Sequence, residues 1–538
     1  MTFERVTPMG HKGAFRERLA KTATSKYGMV STASNIATEA GVIILERGGN
    51  AIDAAVAAAF CLGVTEPQAS GIGGQSMALI RLGENDTIAV DGSSRAPFGI
   101  NPNEVLREPL KVGLKASTVP STPATLGYLL DNYGSMSIDE VLEPAITAAS
   151  QGFKVTSLQH SLIARESEKL LKDPLIEQNY FKNGKALNAG DILRQPELAK
   201  CLERMAVFGW QDFYLGDISE AIIKDMESRG GLISKADLSQ IPTPVERPVL
   251  TGTYRDFQLD TFPPPGAGRT LLQILNILEN FEPKELRPET ASAAVIIALA
   301  FHSALRDREE MPVDPELYQQ LNNKLMVDKR YAAKIGTRIR RFYPPNTAGE
   351  TTHLSVADKD GNIVGITQSI ELVFGSKRMA QGLGFFYNNY MSAYNYKDMT
   401  HPYFLLPGAR PWSSVAPTLI SEEGKPFLLL GSPGSERIAT SLAQVIIRFL
   451  DGGEDLARAI AGPRFHSSSK RKVQIEKVRF NLQVIEELEE AGFEITKRGA
   501  YSFYLGCVQA VMLPQKGSEE FIGVSDPRRD GSALGPKS

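Results

Sequence analysis

Apolar residues recur along this chain with two different periods, and the order in which those periods alternate already outlines a fold. Residues 54–64 (AAVAAAFCLGV) are apolar on nearly every face, the pattern of a helix inside a protein, with Asn50 in the N-cap position and Asp53 in the first turn. Helical spacing returns at 158–171, 197–208, 270–278, 289–307, 438–451 and 482–491. Residues from about 117 to 231 therefore read as a mainly helical region. Alternating or β-branched runs predict strands at 76–81, within 248–261, and at 353–357, 363–369, 417–420, 427–431, 473–475 and 509–513. Asp358-Lys359-Asp360-Gly361 supplies the turn that makes a hairpin of the third and fourth of these. Strands and helices in this order predict stacked sheets flanked by helices, an arrangement that α+β and α/β folds share.

Two interruptions bear on function. The glycines of Gly71-Ile72-Gly73-Gly74 are not followed by Lys-Ser/Thr and precede a strand, so they read as close backbone packing and not as a phosphate loop. Residues 338–350 (RIRRFYPPNTAGE) combine charge, Pro-Pro and small polar residues without periodicity, which is linker chemistry.

Composition narrows the partners. The 538 residues are 42% hydrophobic and 22% charged with a formal net charge of −3, so no long-range field favours nucleic acid or an anionic membrane. No stretch approaches the roughly 18 apolar residues that span a bilayer. The first residues, polar and basic with no apolar core, predict a cytoplasmic protein. Three cysteines, Cys61, Cys201 and Cys507, have neither disulfide nor zinc-site spacing, and Cys61 reads as a small core residue.

Candidate chemistry concentrates where the linker meets the hairpin, at Glu350-Thr351-Thr352-His353-Leu354-Ser355-Val356. A threonine hydroxyl needs a base, and an α-amino group on the same residue, with an ordinary pKa of about 7.7–8.0, can serve. Attack of the Thr351 hydroxyl on the Glu350 carbonyl would free that amine. Taken alone, two threonines at this place merely begin a β-strand, as threonines often do.

The surrounding blocks decide between these readings. GGNAIDAAVAAAFCLGVTEPQASGIGG (48–74), STPATLGYLLDNYG (121–134), TTHLSVADKDGNIVGITQSI (351–370), FGS (374–376), PWSSVAPTLI (411–420), GSPGSERI (431–438) and SDPRRDG (525–531) together resemble the gamma-glutamyltranspeptidase family over nearly the whole chain. The resemblance implies an α+β fold, the four-layer αββα sandwich of N-terminal-nucleophile hydrolases. It implies cleavage between Glu350 and Thr351 into a large chain, 1–350, and a small chain, 351–538, which form a heterodimer; whether heterodimers pair again into a tetramer stays open. Thr351 becomes the nucleophile, and Ser369 takes the place of a threonine that hydrogen-bonds it. The N–H groups of Gly434 and Ser435 would hold the oxyanion, although the second position is normally glycine. Ser413 and Ser414 match serines that bind a substrate carboxylate. This chemistry calls for no metal and no organic cofactor.

The sequence departs from the family where the glutamyl group is gripped. In Asp91-Gly92-Ser93-Ser94-Arg95-Ala96-Pro97 the family arginine falls on Ser93, and Arg95 stands two residues on, about 6.6 Å along an extended chain. Arg95 is thus either a substitute or a solvated surface residue. The two positions that hold the substrate amine read Glu371, able to bind an ammonium, and Ala393, unable to. Residues 390–404 (YMSAYNYKDMTHPYF) fall where the family has a lid, with tyrosines to wall the site.

The expectation is an autoprocessed amidohydrolase or acyltransferase acting on a gamma-glutamyl or similar small carboxylate-bearing amide. Its rivals are an amidase of non-glutamyl specificity, such as one for oxo-acid amides, a biosynthetic branch of the family, and a catalytically silent scaffold. A serine hydrolase centred on Ser432 lacks the G-x-S-x-G pattern and an assignable histidine.

Overall fold

The computed structural model describes residues 17–101, 110–287, 289–317, 325–339 and 351–537. Its centre is the predicted hairpin, Thr352–Asp358 with Ile363–Ser369. Asp358 caps the turn, its carboxylate accepting from the Asp360 and Asn362 N–H groups at 2.9 and 3.0 Å. The same carboxylate accepts from the Ala51 N–H at 2.8 Å, fixing the hairpin to the start of the apolar helix Ala51–Thr65. That helix begins as read, with Asn50 and Asp53 in a reciprocal capping box.

The hairpin lies in the middle of a seven-stranded antiparallel sheet. Gly28–Thr32 and then Ser532–Leu534 flank it on one side; Gln75–Arg81, Ile88–Gly92 and Val245–Pro248 follow on the other. A second antiparallel sheet of seven runs Lys21–Ser25, Phe521–Ser525, Gln509–Met512, Lys425–Gly431, Thr418–Glu422, Phe257–Thr261, Leu250–Tyr254.

Strand alternation divides the apolar residues among three layers of core. Leu354, Val356, Val364, Ile366, Ala78 and Ile80 face the helices Asn35–Glu46 and Ala51–Thr65. Met77, Leu79, Ala357, Ile363, Leu419, Leu429 and Val511 point the opposite way and fill the space between the sheets. Ile420, Leu428 and Leu430 face the helices Gly268–Leu278, Ala291–Glu310 and Arg437–Ile446. The result is helix, sheet, sheet, helix, so the α+β, four-layer expectation holds. A mainly helical region, from Thr122–Tyr133 to Lys235–Ser239, extends the first helical layer.

Residues 338 and 339, read as the start of the linker, instead end the helix Lys329–Ile339. Residues 340–350, Glu350 among them, lie outside the described residues. Cys61 is in the core as expected, its thiol pushed up to about 12 by burial. Among the described residues no helix is long and apolar enough to cross a membrane.

Candidate active site

Register places the first pieces. Thr352 pairs with Gln368 at the end of the hairpin ladder, so one step further out Thr351 and Ser369 stand opposite each other. Cross-strand neighbours of this kind have their Cβ atoms about 4.5–5.5 Å apart. The next strand closes on Ser369 so tightly that a Cβ on Gly74 would lie 2.3 Å from the Ser369 carbonyl oxygen. Gly73, where a Cβ would lie 2.2 Å from the Phe386 carbonyl oxygen, and Gly74 therefore serve close backbone approach, as read, whereas Gly71 leaves room for a Cβ. Ser369 Oγ accepts from the Glu371 N–H at 2.8 Å, and the Tyr390 hydroxyl hydrogen-bonds both Ser369 and Gln75.

The backbone at Thr351 is held from behind. Arg529 donates to the Thr351 carbonyl at 2.8 Å and reaches Glu66 at 3.4 Å, while the Thr352 hydroxyl donates to Glu66 at 2.6 Å. Arg529 belongs to the SDPRRDG block, and Glu66 to the segment that ends the central helix. Two distant motifs thus converge to fix one peptide unit.

Thr351 opens on a cavity of about 290 Å³ that it shares with Arg308, Glu309, Glu371, Tyr390, Ala393, Trp412, Ser413, Ser414, Ser435 and Glu436 among others. The structure brings together Thr351, Glu371, Ser413, Ser414 and Ser435 on one wall system, with Gly434 next in sequence to Ser435. The loop that carries Gly434 and Ser435 runs from the strand Lys425–Gly431 into the helix Arg437–Ile446. Backbone N–H groups at such a helix start are oriented toward an anion. Gly434 has φ +125° and Ser435 φ +52°, so the position that the family fills with glycine does require the left-handed region, and serine adopts it. A non-glycine residue held there costs about 1–3 kcal/mol.

Arg95 lies elsewhere. It forms an isolated bridge with Val119 and sits near Arg410, Asp91 and Glu316, outside the cavity lining. Ser93 hydrogen-bonds Asp91 at 2.5 Å and is buried. The cation that does line the cavity is Arg308, near the end of the helix Ala291–Glu310. It donates to the Ser413 carbonyl and stacks over Trp412 at 5.0 Å. Burial lowers its pKa to about 10, so it remains charged at neutral pH.

Opposite charge is supplied by Glu371 and Glu436. Burial raises each carboxyl to about 7; Arg437 opposes that rise in both, and Glu309 adds to it at Glu436. Glu371 is thus no surface charge: it lines the cavity, in the field of Arg437. It also carries φ +76°, a second strained residue beside the site.

The residues after Tyr390 do form one wall, with Tyr390, Ser392, Ala393, Tyr394, Asn395 and His401 lining the cavity. Other hydroxyls of this loop are spent internally. Tyr394 donates to the Ala409 carbonyl at 2.7 Å, Tyr396 to Met391 at 2.5 Å, and Tyr403 to Val313 at 3.0 Å. Tyr403 and Trp412 stack with ring planes 2° apart.

Sequence reasoning missed Arg308, Glu309 and Glu436. Glu436 stands inside the GSPGSERI block and was within reach of it; Arg308 sits near the end of a largely buried helix with no local signal. Among the described residues no group of three or more His, Cys, Asp or Glu is placed to hold a metal ion.

Comparison with known proteins agrees with this geometry. Residues 37–535 match the family described as gamma-glutamyltranspeptidase. The chain is 36% identical over 535 residues to the glutathione hydrolase proenzyme of Escherichia coli (strain K12), covering 94% of this chain and 91% of that protein. It is 34% identical over 468 residues to the acylase ACY 1 proenzyme of Pseudomonas sp. (strain V22), covering 82% and 83%. Among solved structures, cephalosporin acylase from Bacillus halodurans superimposes with a TM-score of 0.86 at 26% identity, over 99% of this chain and all of that one. The chain therefore belongs to the gamma-glutamyltranspeptidase family, and it is an N-terminal threonine hydrolase or transferase of that family.

Proposed function

We propose that this enzyme, an autoprocessed amidohydrolase of the N-terminal-nucleophile class, uses Thr351 to cleave amides of small acids that carry both a carboxylate and an ammonium group, gamma-glutamyl amides being the simplest example. The observation that carries the reading is the convergence on one cavity of Thr351, the Ser435 backbone, the Ser413–Ser414 pair and charges of both signs, Arg308 against Glu371 and Glu436.

Maturation and turnover use the same bond changes. The Thr351 Oγ attacks the Glu350 carbonyl carbon, the C–N bond breaks, and the departing nitrogen takes the Oγ proton to become a free amine, leaving an ester. Water then hydrolyses the ester, leaving a large chain, 1–350, and a small chain, 351–538. In turnover the new amine takes the Oγ proton as Oγ attacks the substrate carbonyl, and the proton passes to the leaving amine. The N–H groups of Gly434 and Ser435 hold the developing oxyanion, and Ser369 orients the hydroxyl opposite it. Water or a second amine resolves the acyl-enzyme, which gives ping-pong kinetics.

Recognition follows from charge. Ser413, Ser414 and Arg308 face the carboxylate; Glu371, with Glu436 beside it, faces the ammonium, the role that Ala393 has lost. The similarity to proteins named acylases favours a second reading, in which the acyl group lacks the ammonium. A substrate panel on mature protein separates the two: gamma-glutamyl anilide should turn over better than the anilides of the corresponding dicarboxylic acids, which lack the ammonium, and the reverse order supports the second reading. Equal preference for simple monocarboxylic amides would overturn the proposed recognition. Mass spectrometry of the same sample should find two chains meeting at Glu350 and Thr351; an unbroken junction in working enzyme removes the mechanism.

A further inference from the structure

A second cavity, of about 360 Å³, lies outside the site described above and is lined, among the described residues, by Lys111, Arg165, Lys169, Lys377, Arg437 and Arg498 with a single carboxylate, Glu166. In a chain of net charge −3 such a concentration of cations runs against the average. Two of the six, Lys377 and Arg437, are themselves buried, at 4% and 2% exposure.

The surroundings hold these charges in place. Arg165 and Arg498 stack on Tyr504, at 5.3 and 4.6 Å, and Arg498 donates to Gln474 at 2.7 Å. Lys377 adopts φ +58°, donates to the Val373 carbonyl and reaches Glu166 at 3.7 Å. Glu166 is shared, for Arg165 and Lys169 contact it as well, at 3.1 and 3.4 Å. One carboxylate thus serves three cations, leaving a net positive cavity. Burial lowers Lys377 to about 8 against the pull of Glu166, with Lys169 and Arg165 adding smaller effects in the same direction as burial.

We propose that this cavity binds a small polyanion, a phosphorylated or polycarboxylate metabolite, at a place separate from the site of amide cleavage. Its volume suits a molecule with two or three anionic groups, and its donors, two guanidinium groups held on an aromatic face and several ammonium groups, suit the oxygens of such a ligand. Arg437 also acts on Glu371 and Glu436, which line the catalytic cavity, so one buried guanidinium of the second cavity is felt in the first.

The test is isothermal titration calorimetry of the full protein with inorganic pyrophosphate and, separately, with citrate, which distinguishes a phosphate-type from a carboxylate-type ligand. At least one should bind saturably at one site per chain, and more weakly as salt is raised. The helix Ser157–Leu170 presents Arg165 and Lys169 with side chains 36% and 53% exposed, so R165A/K169A should fold normally. That variant should bind about tenfold or more weakly, since it loses two charge-assisted contacts. Lys26→Ala, which removes an exposed lysine paired with Glu519, should bind as the parent does. Saturable binding of neither probe, or binding unchanged in R165A/K169A, would overturn the proposal. Neither result bears on which amide the enzyme cleaves.

Discussion

The two ends of the catalytic cavity are built from different material. At one end Thr351, Ser369 and Gly434 are placed by main chain: a strand ladder, the approach of Gly74, a loop entering a helix, and the clasp of Arg529 and Glu66 on one peptide unit. At the other end Arg308, Glu371, Glu436, Ser413 and Ser414 arrive as side chains from four separate stretches, between loops and helix ends. Positions fixed by register cannot shift without unfolding the sheet. Side chains on loops can be exchanged singly, so acyl specificity can change while the nucleophile stays where it is.

The sharpest way to break the first end is Thr351→Ala. It removes the hydroxyl needed for both scission and turnover, so the chain should stay uncut, near 58.7 kDa on a denaturing gel, with activity at background. Because Thr351 sits one step beyond the ladder, thermal stability should barely change. Residual turnover by an uncut T351A protein would move the chemistry elsewhere.

At the second end the comparison is between two arginines. Arg308→Met keeps the length and apolar bulk of the side chain but removes the cation facing the carboxylate. Losing one charge-assisted contact of about 1.5–3 kcal/mol should lower kcat/KM by about 10- to 100-fold, mostly through KM. Arg95→Ala, outside the cavity lining, should have the smaller effect on KM. An order of effects reversed between the two would return the carboxylate to Arg95.

Glu371 offers a smaller effect with a sign that can be read from pH. Its carboxyl must be ionised to hold an ammonium, and burial has raised it to about 7. The KM of an ammonium-bearing substrate should therefore fall as pH rises through about 7, and Glu371→Gln should flatten that dependence while raising KM. The stability of the free enzyme runs the other way. A carboxyl raised above its unfolded value of 4.5 contributes most below that value and loses its contribution as pH passes about 7. A KM for the Gln variant that still falls through the same window assigns the dependence to another group, such as the Thr351 amine.

How much could be read from the sequence follows the same division. The central hairpin was legible because its alternation and its Asp-Gly turn are local signals. The apolar helix was legible from Asn50 and Asp53. The strands Gly28–Thr32, Ile88–Gly92, Phe521–Ser525 and Ser532–Leu534 were not anticipated, being short and short of alternating apolar residues; they exist because neighbours pair with them. The helix Asn35–Glu46 escaped notice too, for Ser34 makes no side-chain cap and no acidic residue marks its first turn. The same holds in the cavity: Thr351, Ser369 and Gly434 stand in motifs, whereas Arg308 comes to Ser413 across 105 residues of sequence. Only tertiary packing makes that contact, and no window of the chain contains it.

The smallest effect tests a place where the chemistry end itself departs from the family. Ser435 holds φ +52° in the position normally given to glycine. Strain of about 1–3 kcal/mol there is partly offset by the greater chain entropy that glycine would bring to the unfolded state, about 0.5–1 kcal/mol. Ser435→Gly should thus stabilise the fold by about 1 kcal/mol. It keeps the backbone N–H, so kcat should be nearly unchanged. Ser435→Ala separates strain from the hydroxyl, since it removes the oxygen but keeps the Cβ and the unfavourable φ, and it should give no gain. If thermal unfolding finds the alanine variant as stable as the glycine variant, strain is not what serine costs here. The hydroxyl of Ser435, a residue that lines the acyl cavity, would then be the group to examine.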